Sequence, residues 1–261
     1  MALGVLHMHE VYERFTLSMS IFHRLLHLRH LSFAACLATT VPTAQAALTI
    51  STTRIVHASD SRSSSVIVAN PSDRVFAAQA WVNTEQDDTV TPVPMIAAPA
   101  LFRLDPGKEQ MVQLNRLPND LPQDRESLFY FNVQEIPQVG ETNTNILTIA
   151  LRTRIKLFYR PSQLKSRPDE HLKDLKWSVK MLNGRSYLAV DNPSPYHFTF
   201  NRLQVHASGH EESPQASAMV APFAQQTYPL SGTRLAPNAK VTFSIVNDYG
   251  AVSKEQTSDI H

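Results

Sequence analysis

The chain has 261 residues, 24 of them Lys or Arg and 23 Asp or Glu, for a formal charge of +1. That balance supplies no field to gather nucleic acid or an anionic membrane, and the length allows one large or two ordinary domains. The single cysteine, Cys36, lies ahead of the segments that read as folded, which excludes thiol catalysis and disulfides there and leaves burial to hold the fold.

From Met19 the sequence runs MSIFHRLLHLRHLSFAACLATTVPTAQA. Arg24 and Arg29 precede an apolar segment from Leu31 to Val41, and Ala44-Gln45-Ala46 follows as a small-x-small cleavage signal. This is the pattern of a secretory signal peptide, with an apolar core too short to span a bilayer. Residues 1–18 read as an extension from a misassigned start codon. Cys36 follows Phe33-Ala34-Ala35 without the Leu expected three residues before a lipidated cysteine, so cleavage after Ala46 is preferred to a lipid anchor. Beyond Ala46 the chain carries 21 charges of each sign.

Short β-type segments follow, separated by turn chemistry. Ala47–Ile55 reads as one strand and Ser65–Ala69 as the next, ended by Asn70-Pro71-Ser72-Asp73. Val75–Val82 alternates and is expected to place Trp81 in a core. Leu101–Leu104 leads into the turn Asp105-Pro106-Gly107-Lys108, Met111–Leu114 is short, and Leu128–Val133 is aromatic between Pro122 and Pro137. Strands at this spacing with turns between them indicate a β-sandwich.

The stretch from Asn145 to Pro161 reads NILTIALRTRIKLFYRP. Its odd positions are Leu147, Ile149, Leu151, Thr153, Ile155, Leu157 and Tyr159, apolar apart from Thr153, while its even positions turn basic through Arg152, Arg154, Lys156 and Arg160. Alternation over about 13 residues would extend roughly 43 Å, against a usual strand of about 5–6 residues. Either this domain's own core takes the surplus apolar positions or another polypeptide does.

Ser162–Asp174 is polar and reads as a hinge. A second β series follows at Lys176–Leu182, Ser186–Val190, Phe198–Val205, Val220–Tyr228 and Val241–Val246, with Asp191-Asn192-Pro193-Ser194-Pro195 as a turn. The polar segment Ser253–His261 is expected to fray. No long helix and no sequence repeat is evident. The expected architecture is all-β: two sandwich domains over 47–163 and 164–254, with a polar tail over 255–261.

Chemistry is sparse. There is no Gly-rich phosphate loop and no nucleophile elbow. His206, His210, Glu211 and Glu212 could ligate a metal, but Gly209 and Ser213-Pro214 make a solvated loop the better reading. The expectation is therefore no catalytic residue, no metal site and no cofactor.

Four motifs in order resemble the periplasmic pilus-assembly chaperones of the PapD type. They are Thr53-Arg54-Ile55-Val56; the run from Leu121 to Val133 (LPQDRESLFYFNV) with Glu135-Ile136-Pro137; Ile155-Lys156-Leu157-Phe158-Tyr159-Arg160-Pro161; and Val246-Asn247-Asp248-Tyr249-Gly250-Ala251. The resemblance implies two immunoglobulin-like domains in a boomerang arrangement with a cleft between them. It implies a periplasmic chaperone that binds pilin or fimbrial subunits by donor-strand complementation, keeps them folded and unpolymerised, and delivers them to an outer-membrane usher. It implies no nucleic-acid partner and no membrane insertion, and it leaves room for self-association of the free form through its exposed strand.

Residue by residue, the resemblance implies that Leu147, Ile149 and Leu151 fill the pilin groove. Burying three such side chains contributes roughly 5–9 kcal/mol before ordering costs. Arg54 and Lys156 correspond to a cleft pair that binds the pilin's C-terminal carboxylate and so pins register, since a one-residue slip turns every donated side chain away. Glu126, Arg160 and Asp248 correspond to an interdomain salt-bridge network. Arg152 and Arg154 read as a solvated face. The chain departs from the family at His57, where an aromatic is frequent, and at Ala97-Ala98-Pro99-Ala100, where Thr-Pro-Pro is frequent. The seven residues between Pro137 and Asn145 resemble the short-loop subclass.

Overall fold

The computed structural model describes residues 48–88, 90–136, 149–207, 210–216, 218–231 and 238–261. The expected leader and its cleavage site, Leu147, and the short connection after Pro137 lie outside these residues. Among the described residues no helix is long and apolar enough to cross a membrane.

The first domain is an immunoglobulin-like sandwich built from β1 (Thr49–Ile50), β2 (Arg54–Ala58), β3 (Ser63–Ala69), β4 (Phe76–Asn83), β5 (Met95–Ala98), β6 (Leu101–Leu104), β7 (Glu109–Arg116), β8 (Ser127–Ile136) and β9 (Arg152–Arg160). One sheet has the order β1-β3-β7-β5 and the other β2-β9-β8-β4-β6. Val66, Val68, Val112 and Leu114 from the first meet Ala80, Phe131, Val133, Ile155 and Leu157 from the second in one buried core.

The expected first strand is two. Residues Thr49–Ile50 pair with β3, whereas Arg54–Ala58 pair in parallel with β9 in the opposite sheet. The intervening Thr52 makes the crossing: its hydroxyl donates to the Arg54 carbonyl at 2.7 Å. Ser51 and Thr53 complete a polar link too short to bury. Trp81 is also placed differently from expectation. On β4 the buried apolar positions are Ala78, Ala80 and Val82, so period two turns Trp81 to the outer, half-buried face.

The second domain comprises β10 (Lys176–Leu182), β11 (Arg185–Asn192), β12 (Phe200–Ala207), β13 (His210–Glu212), β14 (Ala224–Pro229), β15 (Lys240–Ile245) and β16 (Gln256–Asp259). Its sheets are β10-β11-β14 and β13-β12-β15-β16. Trp177, Phe200 and Phe243 pack against one another in its core in tilted and edge-to-face pairs, with ring centroids 5.1–5.7 Å apart. The expected hinge contains a 3-10 helix, Pro168–Asp174, whose Leu172 is buried in this core. The C-terminal segment is a sheet edge rather than a frayed tail: β16 pairs with β15 from Lys240↔Asp259 to Phe243↔Gln256. Its polarity suits an edge strand with one face in water.

Although no repeat is evident in the sequence, one turn recurs. Asn70-Pro71-Ser72 and Asn192-Pro193-Ser194 occupy the corresponding turn of each sandwich. In both, the Asn Oδ1 accepts from the Ser amide and the Ser hydroxyl, the latter at 2.7 Å. The buried Asn Nδ2 then satisfies carbonyls of the neighbouring turn, Leu104 in the first domain and Tyr196 in the second.

His57 stands fully buried in the first core, stacked on Tyr159 at 5.8 Å, with Nδ1 2.9 Å from Ser64 Oγ and Nε2 without a partner among the described residues. Burial first, and then the charge of Arg116, push its imidazole below the ordinary histidine range, against smaller opposing effects of the Ser61 backbone and Asp60. A depressed folded value means that the unfolded chain takes up the proton first as pH falls. The stability linked to His57 is thus complete above about pH 6.5, the unfolded value, and is lost as pH descends through the folded value. The His57→Phe variant is expected to flatten the acid limb of a stability-versus-pH curve measured by urea unfolding. An unchanged limb would clear His57 of that role.

Candidate functional site

The site grows from β9 and the residues just before it; the expected strand of about 13 residues is described only over Arg152–Arg160, nine residues, with Ile149–Leu151 outside the assigned strand. Ile155, Leu157 and Tyr159 are buried in the first core, and Ile149 and Leu151 continue the same parity past its end. There the sandwich stops covering them: Ile149 is 66% exposed and Leu151 49%. Leu151 still belongs to the ladder with β8, because the Glu135 amide donates to its carbonyl at 2.9 Å. The other edge differs. β2 joins β9 only from Lys156 onward, so residues 152–155 have no strand partner on that side among the described residues. An apolar row therefore sits beside an unpaired backbone edge, which is the template for adding a strand.

The open edge ends at two cations. Arg54 opens β2 and Lys156 is its register partner on β9. Both reach toward the second domain: Arg54 Nη1 donates to the Val246 carbonyl at 2.7 Å and Lys156 Nζ to Thr199 Oγ1 at 2.8 Å. Arg54 is buried, its guanidinium lies 5.9 Å from the Phe158 ring, and its Nε has no partner among the described residues. Among the described residues neither cation forms an ion pair. Burial is the main cause that lowers both pKa values; for Lys156 the Arg54 charge adds to it and brings the ammonium to about 8. Asp248 and Glu126 act on Arg54 and Glu85 on Lys156 only as smaller opposing charges, so two partly desolvated positive groups are poised for an anion.

Beside them a charge network joins the domains. Arg160, at the end of β9, donates from Nε to Glu126 Oε1 at 2.7 Å and from both terminal nitrogens to Asp248 at 2.7 and 2.8 Å. Glu126 is nearly fully buried and accepts in addition from the His197 amide at 2.8 Å, with His197 Nδ1 3.1 Å away. Burial works against the Arg160 charge, but the bonds to Asp248 and the charge of Glu126 outweigh it and hold the guanidinium above its ordinary value. His197 and Thr199 carry no local sequence signal for these contacts; the long range of the pairing hides them.

Asp248 is presented by the turn Asn247–Gly250. Asn247 Oδ1 accepts from the amides of Tyr249 and Ala251, and Gly250 sits at φ +81° facing Thr53 of the first domain. A Cβ there would lie 2.3 Å from Thr53 Oγ1. Gly250→Ala is expected to cost roughly 1–2 kcal/mol from the left-handed backbone alone. A urea midpoint lowered at constant m-value would register it, and an unshifted midpoint would mean that the turn relaxes out of the left-handed conformation without penalty.

The basic face of β9 is not simply solvated. The Arg152 guanidinium lies 4.9 Å from the Trp81 ring and that of Arg154 lies 3.8 Å from Tyr130. Flat apolar faces on β4 and β8 give these two side chains cation–π partners.

Comparison with known proteins agrees along both domains. The sequence matches the family described as pili and flagellar-assembly chaperone, PapD N-terminal domain, over residues 47–165, and that described as pili assembly chaperone PapD, C-terminal domain, over residues 170–257. It is 36% identical over 240 residues to the probable fimbrial chaperone YadV of Escherichia coli strain K12, covering 88% of this chain and 96% of that protein. It is 38% identical over 210 residues to the chaperone protein PapD of Escherichia coli, covering 79% and 84%. The crystal structure of the YadV chaperone superposes with a TM-score of 0.70 at 35% identity, over 81% of this chain and 98% of that one.

Proposed function

Because the chain belongs to the PapD family of pilus-assembly chaperones, we propose that β9 and the segment before it are its strand-donating element. The protein is a non-enzymatic chaperone of fimbrial subunits, acting by donor-strand complementation and passing subunits to an outer-membrane usher. The members of this family are periplasmic chaperones. Within that function, Leu147, Ile149 and Leu151 fill the subunit groove, and Arg54 with Lys156 receives the subunit's C-terminal carboxylate. Glu126, Arg160 and Asp248 hold the two domains around that cleft. The chain reaches the periplasm through a signal peptide cleaved near Ala46; the family match beginning at residue 47 supports this position.

The observation that carries the reading is the coincidence, on one strand, of exposed Ile149 and Leu151, an edge without a strand partner, and paired cations where that edge closes. A subunit strand laid along residues 149–155, parallel to β9, would end where β2 begins, with its carboxylate beside Arg54 and Lys156. Main-chain bonds supply affinity, the apolar row supplies specificity, and the ion pair sets register.

Co-expression with an exported fibre subunit tests it. The wild-type protein is expected to copurify with the subunit in a one-to-one complex, and the Ile149→Asp/Leu151→Asp double variant is expected to lose it while keeping its melting temperature. A complex that survives both changes would assign the groove contact to another surface.

A further inference from the structure

We infer that Asp87 and Arg152 are positioning residues that aim the donor segment; this rests on the strand-donating reading of β9. The loop after β4 is braced from within. The Asp88 carboxylate accepts from the amides of Val90 and Thr91 at 3.0 and 2.6 Å and from the hydroxyls of Thr84 and Thr91 at 2.9 and 3.0 Å. Asp87, at a positive φ of 60°, projects from this rigid loop and accepts from Asn83 Nδ2. Its two oxygens take a bidentate pair from Arg152 at 2.9 and 2.5 Å.

Arg152 is held from two further sides. Its Nε and Nη2 donate to Asn132 Oδ1 at 3.0 and 2.6 Å, and its guanidinium lies over Trp81. Next along the same face, Arg154 Nη2 donates to the Thr84 carbonyl of the same loop at 2.5 Å. Arg152 is the first residue of β9 and immediately follows Leu151. Side chains alternate along a strand, so fixing Arg152 on the Trp81 face turns Leu151 and Ile149 to the opposite one. The clamp acts at the start of the part of β9 that has no β2 neighbour, residues 152–155, so the donor end is oriented before a subunit arrives.

An ion pair this exposed contributes little to global stability, whereas preordering a binding segment acts directly on capture. The test uses the full-length protein with Asp87→Asn and Arg152→Gln, Asp87→Glu as the conservative rescue, and Lys156→Ala as the cleft control. Hydrogen exchange of the amides from Ile149 to Thr153 is expected to speed up about tenfold in the first two variants, with unchanged melting temperature and unchanged exchange elsewhere. Capture of a urea-unfolded fibre subunit, diluted into buffer containing the protein, is expected to slow about tenfold, with recovery in Asp87→Glu. Unchanged local exchange overturns the inference. So does faster exchange with unaltered capture while Lys156→Ala abolishes it. If Lys156→Ala also leaves capture intact, the cleft pair is removed from recognition, and the exchange data still judge the clamp.

Discussion

Replacing Lys156 with Ala is expected to abolish stable capture of a fibre subunit without unfolding the protein. The ammonium is half of a cation pair that makes no ion pair among the described residues, so its contribution becomes favourable only when an anion arrives. A charge-assisted bond is worth about 1.5–3 kcal/mol, which alone weakens affinity roughly 10- to 150-fold, and loss of register compounds it. In the free protein the same group is a cost. Burial lowers its pKa to about 8, and after allowance for its partial exposure, Lys156→Met should raise stability by on the order of 2 kcal/mol. Binding and stability thus move in opposite directions, a signature that a merely structural lysine does not give. Affinity for a peptide with a free C-terminal carboxylate should also decline as pH rises through about 8, because the deprotonated amine loses its charge. A bound carboxylate raises the lysine pKa in turn, so the complex once formed resists the change to higher pH. Calorimetric titration of such a peptide between pH 6.5 and 9.5 would measure the trend, and a flat profile with retained binding in Lys156→Ala would remove the cleft pair from recognition.

The largest stability loss is expected from Arg160→Ala. Glu126 has a side chain only 2% exposed, and Arg160 is its strongest counter-charge while also gripping Asp248 in the second domain. Removing the guanidinium strands a buried carboxylate, which costs about 3–5 kcal/mol. Arg160→Lys restores a charge but not the three-point geometry, so only part of the loss should return. Glu126→Gln is expected to be milder, because no buried charge is stranded and its one amide oxygen still accepts from either Arg160 or the His197 amide, while its NH2 faces the other donor. Urea unfolding gives the free energies, and small-angle scattering reports whether the two domains remain held together. A loss below about 1 kcal/mol with unchanged scattering would reduce the network to ordinary surface pairing.

Much of this was legible in the residues. Alternation identified β9, though its described extent, Arg152–Arg160, is shorter than the alternating run, turn chemistry separated most strands, and the four motifs marked the family. Other features were not. Trp81 sits on a strand whose small residues, Ala78 and Ala80, face the core; parity says which residues share a face but not which face is buried. The split of the first strand across two sheets and the edge position of β16 depend on partners elsewhere in the chain, not on the local pattern.

By itself the sequence determined the all-β class, the two-domain division, the alternation of β9 and the identity of the cations, because strand period, turn residues and charge are local properties. Only the tertiary structure decided what each group meets. Arg54 reaches a carbonyl 192 positions away at Val246, Arg160 meets Asp248 across 88 positions, and Arg152 finds Asp87 across 65. Such pairings arise when sheets close and domains dock, and no periodicity along the chain encodes them.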